Sequence, residues 1–263
     1  MKLVVTICGL LTILCSNLVA AKDQVVNIYS FRKAELIAPL LTEFTKQTGI
    51  KANVVSGKAD KLMDRLIADG ENSFADVLLT VDVARLEKAK QLKLIQPIAS
   101  SFLLEHVPQQ VKDPDNYWFG LSLRARAIFY ARNRVKPEQL SHYQNLLDKD
   151  WQGKICSRKG SHYYNRSMVA SFIYRYGQSW TESWVKGFTD NLAERPNGGD
   201  RDQLRKIAKG DCDIALANSY YYGILSSSAK QSDREVYRQV GVVFPDNGGI
   251  GVHTNISGAA VTG

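Results

Sequence analysis

Apolar positions along this chain follow two rhythms, and the rhythms alternate. Residues 25–29 (VVNIY) form a short apolar run that reads as a buried strand. Residues 35–47 (ELIAPLLTEFTKQ) then repeat apolar positions at helical spacing until Gly49, with Pro39 weakening the first turn. The order continues with a strand over 51–55, a helix over 59–69 with Leu62, Met63 and Leu66 apolar, a strand over 75–80 (ADVLLT) and a helix over 85–92. Strands alternating with helices predict βαβ units, a parallel sheet, and ligand contacts at the carboxyl ends of the strands.

The middle of the chain repeats the style. Residues 119–130 (FGLSLRARAIFY) alternate strictly, which predicts Leu121, Leu123, Ala125 and Ala127 on a packed face and Ser122, Arg124 and Arg126 on a polar one. Helices are expected over 167–177, 180–193 and 202–209, and a strand over 213–217 (DIALA), so a second α/β unit follows the first. There is no internal repeat, low-complexity tract or long flexible linker. Two α/β lobes joined by short crossing strands would hold a ligand in the cleft between them.

The first 21 residues change the picture of where the protein works. Lys2, an apolar run over 3–14 and small residues ending at Ala21 have the order of a secretory signal peptide, and the run is too short to favour a membrane span. Cys15 raises the alternative of an acylated lipoprotein signal, but Leu14 stands where a small residue would be expected. Cleavage after Ala21 would leave Cys156 and Cys212 in a compartment that permits disulfides. The remaining composition is that of a folded, soluble chain: 263 residues, 44% hydrophobic, 23% charged. The formal charge of +8 is spread through the chain without a basic block, so it argues for a general attraction to anions rather than for nucleic acid.

Several chemistries lack their residues. The 4 histidines form no HExxH pair and join no CxxC, the glycines at 248, 249 and 251 do not fit a dinucleotide fingerprint, and neither a Walker lysine nor a nucleophile-elbow serine is present. An enzyme is therefore not expected. What stands out is tyrosine, with 12 in all, including the pair Tyr163-Tyr164 and the triplet Tyr220-Tyr221-Tyr222. Tyrosines bury a ring and bond the hydroxyl in ordinary cores and interfaces. Clustered phenols also offer hard, anionic oxygen donors suited to a trivalent cation such as Fe(III), extending the softness argument made for divalent metals. A phenol is protonated at neutral pH, so such a site must expel protons as the metal enters.

Seven segments together resemble one family: residues 27–32 (NIYSFR), 75–82 (ADVLLTVD), 118–127 (WFGLSLRARA), 164–167 (YNRS), 198–203 (GGDRDQ), 218–223 (NSYYYG) and 255–258 (NISG). They are similar to the ferric-ion-binding periplasmic proteins of bacterial iron ABC transporters. The resemblance implies the two-lobed α/β periplasmic-binding-protein fold of type II, with lobe one over residues 22–121 and 245–263 and lobe two over 122–244. It implies Fe(III) held by tyrosinates, here Tyr164, Tyr220 and Tyr221, with Tyr29 a further candidate ligand or a cleft-lining residue. A histidine ligand before Tyr29 is not expected, because Ile28 stands there. A synergistic anion, carbonate first among the candidates, would be held by Arg32 and Arg124, while Tyr163 and Tyr222 would take supporting roles and Arg126 is either a further cleft arginine or an outer charge. The implied partner is an inner-membrane ABC permease, the implied setting the periplasm, and the implied state a monomer. A relative of the same fold that carries a polyamine, phosphate or other small anion is the rival reading.

Two further expectations concern the frame. Cys156 precedes Tyr164 by eight residues and Cys212 precedes Tyr220 by eight, a symmetry that predicts a disulfide between neighbouring strands that both lead to ligands. The chain ends in an apolar strand-like run over 256–263, where the family continues into helices packed on lobe one. A C-terminally truncated fragment is thus expected, with apolar surface exposed on lobe one.

Overall fold

The structure is a computed structural model that describes residues 24–32 and 34–263. The expected signal peptide over 1–21 lies outside the described residues. Nine strands and nine helices of the described residues follow one another as β1 (Val25–Ser30), α1 (Ala34–Thr48), β2 (Lys51–Ser56), α2 (Ala59–Asp69), β3 (Val77–Thr80), α3 (Val83–Gln91), β4 (Ile95–Gln96), α4 (Ser101–His106) and β5 (Phe119–Ala131), then β6 (Ile155–Cys156), α5 (Tyr163–Tyr176), α6 (Gln178–Asp190), α7 (Asp200–Lys209), β7 (Ile214–Asn218), α8 (Tyr220–Ser226), α9 (Gln231–Gln239), β8 (Val240–Val243) and β9 (Thr254–Thr262). Among these residues no helix is long and apolar enough to cross a membrane.

The strands run in the order β2-β1-β3-β9-β5-β7-β6, with β4 on β9 and β8 on β5. The parallel pairs β1–β2 and β1–β3 are those the βαβ rhythm predicts, β6–β7 is a third parallel pair that the rhythm does not mark, and β9 and β5 enter antiparallel. Strand β5 joins two groups of strands. Its first half pairs β9 from Phe119 to Ala125, and its second half pairs β7 from Arg126 to Tyr130. At this seam Arg124 lies opposite Asn255 and Ala125 opposite Thr254, so β5 and β9 are the crossing strands.

Each group has its own core. In the first, Leu62, Met63 and Leu66 of α2 meet Leu78 and Leu86, the face that their helical spacing predicts. In the second, β5 divides two cores by alternation: Ile128 and Tyr130 face α5 and α6, while Ala127, Phe129 and Ala131 face α7 and α9. Trp184 stacks on Phe188 at 5.0 Å and meets Phe172 edge-on at 4.9 Å, pairs worth about 0.5–1.5 kcal/mol each beyond area burial. The expected disulfide is present between Cys156 at the end of β6 and Cys212 just before β7, with Cα atoms 5.8 Å apart.

The alternation of β5 misassigns its faces near the seam. Leu121 and Leu123 are 59% and 60% exposed, while Arg124 and Arg126 are 8% and 2% exposed. The register shifts by a bulge between Gly120 and Ser122, leaving the leucines along an open groove with His106 and Pro108. The arginines can be buried because partners wait for them inside. Leu36, Leu40, Phe74 and Phe102 of the first group are also exposed.

Candidate functional site

Two helices begin at the seam, and each begins with a tyrosine of interest. Helix α5 starts four residues earlier than its apolar pattern predicts, because His162 caps it by accepting the backbone N–H of Tyr164 at 3.2 Å through Nδ1. Tyr164 is thereby placed in the first turn. Ser219 is held between β7 and β5, donating its N–H to Ala125 and accepting that of Ala125, so α8 opens with Tyr220 and Tyr221. The hydroxyls of Tyr164 and Tyr220 meet at 3.0 Å, and the ring of Tyr221 lies 4.3 Å from that of Tyr220. The two tyrosine-bearing segments follow the neighbouring strands β6 and β7, which the disulfide ties together.

Positive charge surrounds Tyr164. The guanidinium groups of Arg158, Arg124 and Arg126 lie 4.9, 5.4 and 5.8 Å from its ring centroid. Two of the three share a carboxylate: Asp200 accepts Arg126 at 2.6 Å and Arg158 at 2.9 Å, and also the backbone N–H of Asn218. Arg126 is further bound by Asn165 and Asn218 and is 2% exposed. Arg124 donates to the Ile256 carbonyl at 2.9 Å, and its Nη2 is buried with no hydrogen-bond partner. Arg32 donates to Ser122 and Ser257 at 2.9 and 2.8 Å, and Ser257 also lies 3.4 Å from Arg124. Ser257 therefore brings the two arginines singled out for an anion into one group. A cavity of about 10 Å³, room for one water-sized guest, opens among Arg124, Arg126, Tyr164, Asn218, His253 and Asn255.

Burial raises the phenols here above their ordinary value. Tyr164 and Tyr220 are both pushed up by desolvation first, and Tyr221 is pushed up to about 12 for the same reason. Arg124 pulls the other way at Tyr164 without overcoming burial. His162 and His253 are lowered to about 4, by desolvation first and by the neighbouring arginines second. Both imidazoles are therefore neutral at pH 7, as the capping bond of His162 requires.

The remaining tyrosines separate cleanly. Tyr222 turns into the second core, accepting Arg132 at 2.6 Å and donating to the Val240 carbonyl at 3.1 Å. Tyr163 stacks near His162 and carries the Arg85 guanidinium 4.8 Å from its ring. Tyr29 is 1% exposed within the first core, in one cluster with Leu62, Met63 and Leu66, and its hydroxyl has no hydrogen-bond partner. Tyr164 meets Tyr220 and Tyr220 meets Tyr221, whereas the contacts of Tyr29 described above are with the first core.

Sequence reasoning missed the residues that hold the site in place: Arg158, Asp200, Asn165, Asp82 and His253. A signal existed for three of them, because Asp82, Asn165 and Asp200 fall inside the segments 75–82, 164–167 and 198–203 that carry the resemblance. The NISG segment gains a physical reading as well. Asn255 bonds Asp82, Ser257 bonds Arg32, and a Cβ on Gly258 would stand 2.6 Å from the Phe119 carbonyl oxygen and 2.9 Å from Leu86. Among the described residues there is no group of three or more His, Cys, Asp or Glu side chains that could hold a metal ion.

Known proteins share this arrangement of sequence and fold. The family profile described as bacterial extracellular solute-binding protein matches residues 72–253. Iron uptake protein A1 of Synechocystis sp. is 43% identical over 240 residues, 91% of this chain and 67% of that protein. The Trichodesmium protein IdiA, also called FutA, solved in complex with iron and citrate ligands, superposes with a TM-score of 0.87 at 44% identity, covering 91% of this chain and 76% of that one. The ferric binding protein from Campylobacter jejuni gives a TM-score of 0.84 at 37% identity, over 90% of this chain and 75% of its own. These solved structures share the two-lobed α/β fold that the sequence implies. The chain belongs to the bacterial extracellular solute-binding protein family.

Proposed function

We propose that this chain is an exported binding protein that captures Fe(III) through Tyr164, Tyr220 and Tyr221, completes the metal's coordination with an anion at Arg32 and Arg124, and delivers it to an inner-membrane ABC permease. The observation that carries the reading is the pair of phenol oxygens 3.0 Å apart, presented by two different helices. Adjacent oxygens around a small octahedral hard cation, at metal–oxygen distances of about 2.0–2.1 Å, stand about 2.9 Å from one another. The phenol pair is thus spaced as two neighbouring ligands would be. Tyr221 supplies a third oxygen, and Tyr29, held in the first core, is left out of the set.

Charge supports the same assignment. Three phenolates balance Fe(III), and the guanidinium groups around Tyr164 favour the ionised ring once the metal has displaced its proton. Arg32 meets neutral serine hydroxyls, so its charge is available to an anion such as carbonate. The same arginines repel a polyamine. In this reading the cleft lies between a first lobe of residues 22–121 and 245–263 and a second of residues 122–244, and the carrier acts as a monomer in the periplasm. The relatives described above are named for iron uptake or ferric binding, which is the company the reading expects.

Absorption spectroscopy tests it. Ferric iron added to the purified protein is expected to raise a visible phenolate-to-iron band, stronger binding is expected with bicarbonate, and Tyr220→Phe is expected to weaken both band and binding. A protein that binds iron with no visible band, or a Tyr220→Phe variant with the parent's band and affinity, would overturn the tyrosinate site.

A further inference from the structure

Asp82 sits where four elements meet. Its side chain is 2% exposed, and Oδ1 caps α3 by accepting the backbone N–H of Ala84 at 2.9 Å. Oδ2 accepts the hydroxyl of Ser167 at 3.0 Å and the amide of Asn255 at 3.2 Å. Ser167 belongs to α5, one turn after Tyr164, and Asn255 belongs to the crossing strand β9. Arg124 Nη2 lies 3.6 Å from the same Oδ2, outside hydrogen-bond reach, and has no hydrogen-bond partner.

A carboxylate oxygen offers two lone pairs, and those of Oδ2 are taken by Ser167 and Asn255. Arg124 is therefore attracted to Asp82 but denied a hydrogen bond, and one of its N–H groups stays free for another acceptor. Were α5 to draw back, Ser167 would leave with it and the vacated lone pair would accept Arg124. That bond would join two opposite charges, where the Ser167 bond has only its acceptor charged, and it needs a shift of under about 1 Å.

We propose that Ser167 and Asp82 are positioning residues that make Arg124 available to the anion only while α5 is closed onto α3. In the closed arrangement the Ser167 hydroxyl occupies Asp82 and Arg124 keeps a free N–H for the anion. On opening, Asp82 takes Arg124 back, so the anion loses its arginine as the lobes part and the metal is loosened for release. The inference rests on the assignment of Arg124 to the anion made above.

The test is the ratio of apparent ferric affinities with and without bicarbonate, read by competition with a chelator, with a parallel series using citrate. Ser167→Ala keeps the helix but deletes the hydroxyl, and its anion ratio is expected to fall about tenfold from the parent's, the weight of one charge-assisted hydrogen bond. Ser167→Thr, which keeps the hydroxyl, is expected to restore the ratio. Adding Asp82→Asn to Ser167→Ala removes the competing carboxylate and is expected to restore it too. A merely structural role for Ser167 would weaken binding equally with and without anion, leaving the ratio where it was. A Ser167→Ala ratio equal to the parent's overturns the proposal, as does a parent with a visible band whose affinity ignores both anions. A parent with no visible band overturns the ferric reading itself.

Discussion

The two strand groups treat the seam between them very differently. The second group holds its side as a braced platform: a disulfide across β6 and β7, aromatic packing of Phe172, Trp184 and Phe188 beneath α5, and a buried carboxylate binding two arginines under Tyr164. The first group reaches the seam through single side chains, namely Arg32, Asp82 and Arg85, and keeps several large apolar residues at its surface. The difference teaches a division of labour. On the proposed function, donor oxygens that must be held to within a fraction of an ångström would stand on the stiff body, and groups that engage and disengage on light contacts.

Acidification is the broadest way to break the platform's advantage. Tyr164, Tyr220 and Tyr221 all have raised pKa values, the last to about 12, so each is protonated throughout the neutral range. Metal entry then releases one proton per phenol, and protons favour the metal-free side of the equilibrium. Apparent ferric affinity is expected to rise with pH, by up to about 1000-fold per pH unit if all three phenols ionise on binding. A chelator competition series between pH 6 and 8, corrected for the chelator's own protons and for ferric hydrolysis, measures the slope; a flat profile would remove the phenols from the site.

The buried carboxylate is the platform's next weakest point. Asp200→Asn keeps the shape but leaves Arg126 and Arg158 without their shared counter-charge, at a cost of about 3–5 kcal/mol. Thermal unfolding should show it plainly. The exposed pair Lys186–Asp190 serves as the control, since its loss should cost under about 1 kcal/mol. A Tyr220→Phe variant comes next, with ferric affinity expected to fall at least about 100-fold, beyond the roughly 10- to 100-fold usual for groups that merely support a metal ligand.

The legibility of the molecule follows the same division. Helices α2 and α3 and strand β2 are readable because one face of each is apolar at a regular period, and β1 because it is a continuous apolar run whose Ile28 and Tyr29 are buried. Strand β5 is readable as a strand but not in its faces, because a bulge and a change of partner sheet decide which side is inside. The disulfide is legible from equal spacing to the two tyrosine clusters, since parallel neighbours lead to both. The bracing of the site is not. Arg158, Asp200 and Asp82 act through partners tens of residues away, and no local periodicity records such a pairing. Helix α5 begins early for a similar reason, as its cap is a histidine kept neutral by burial beside Arg158 rather than a residue of the usual capping set.

The smallest expected effect sharpens the comparison most, because it separates neighbours in one triplet. Tyr222 follows Tyr221 directly, yet its ring lies 4.5 Å from Tyr237 and meets Phe129 edge-on at 5.9 Å, away from the phenol pair. Its hydroxyl is committed twice, accepting Arg132 and donating to Val240. Tyr222→Phe keeps the ring and its packing and deletes only those two bonds. Arg132 retains the Val240 carbonyl through Nε at 3.1 Å and stays partly in water, so no charge is stranded. The expected loss is about 1 kcal/mol of stability, seen as a small fall in unfolding midpoint. Ferric affinity and the visible band are expected to match the parent's. A Tyr222→Phe variant that loses iron as Tyr220→Phe does would mean that the triplet works as a unit, and that the boundary drawn here between platform and site runs in the wrong place.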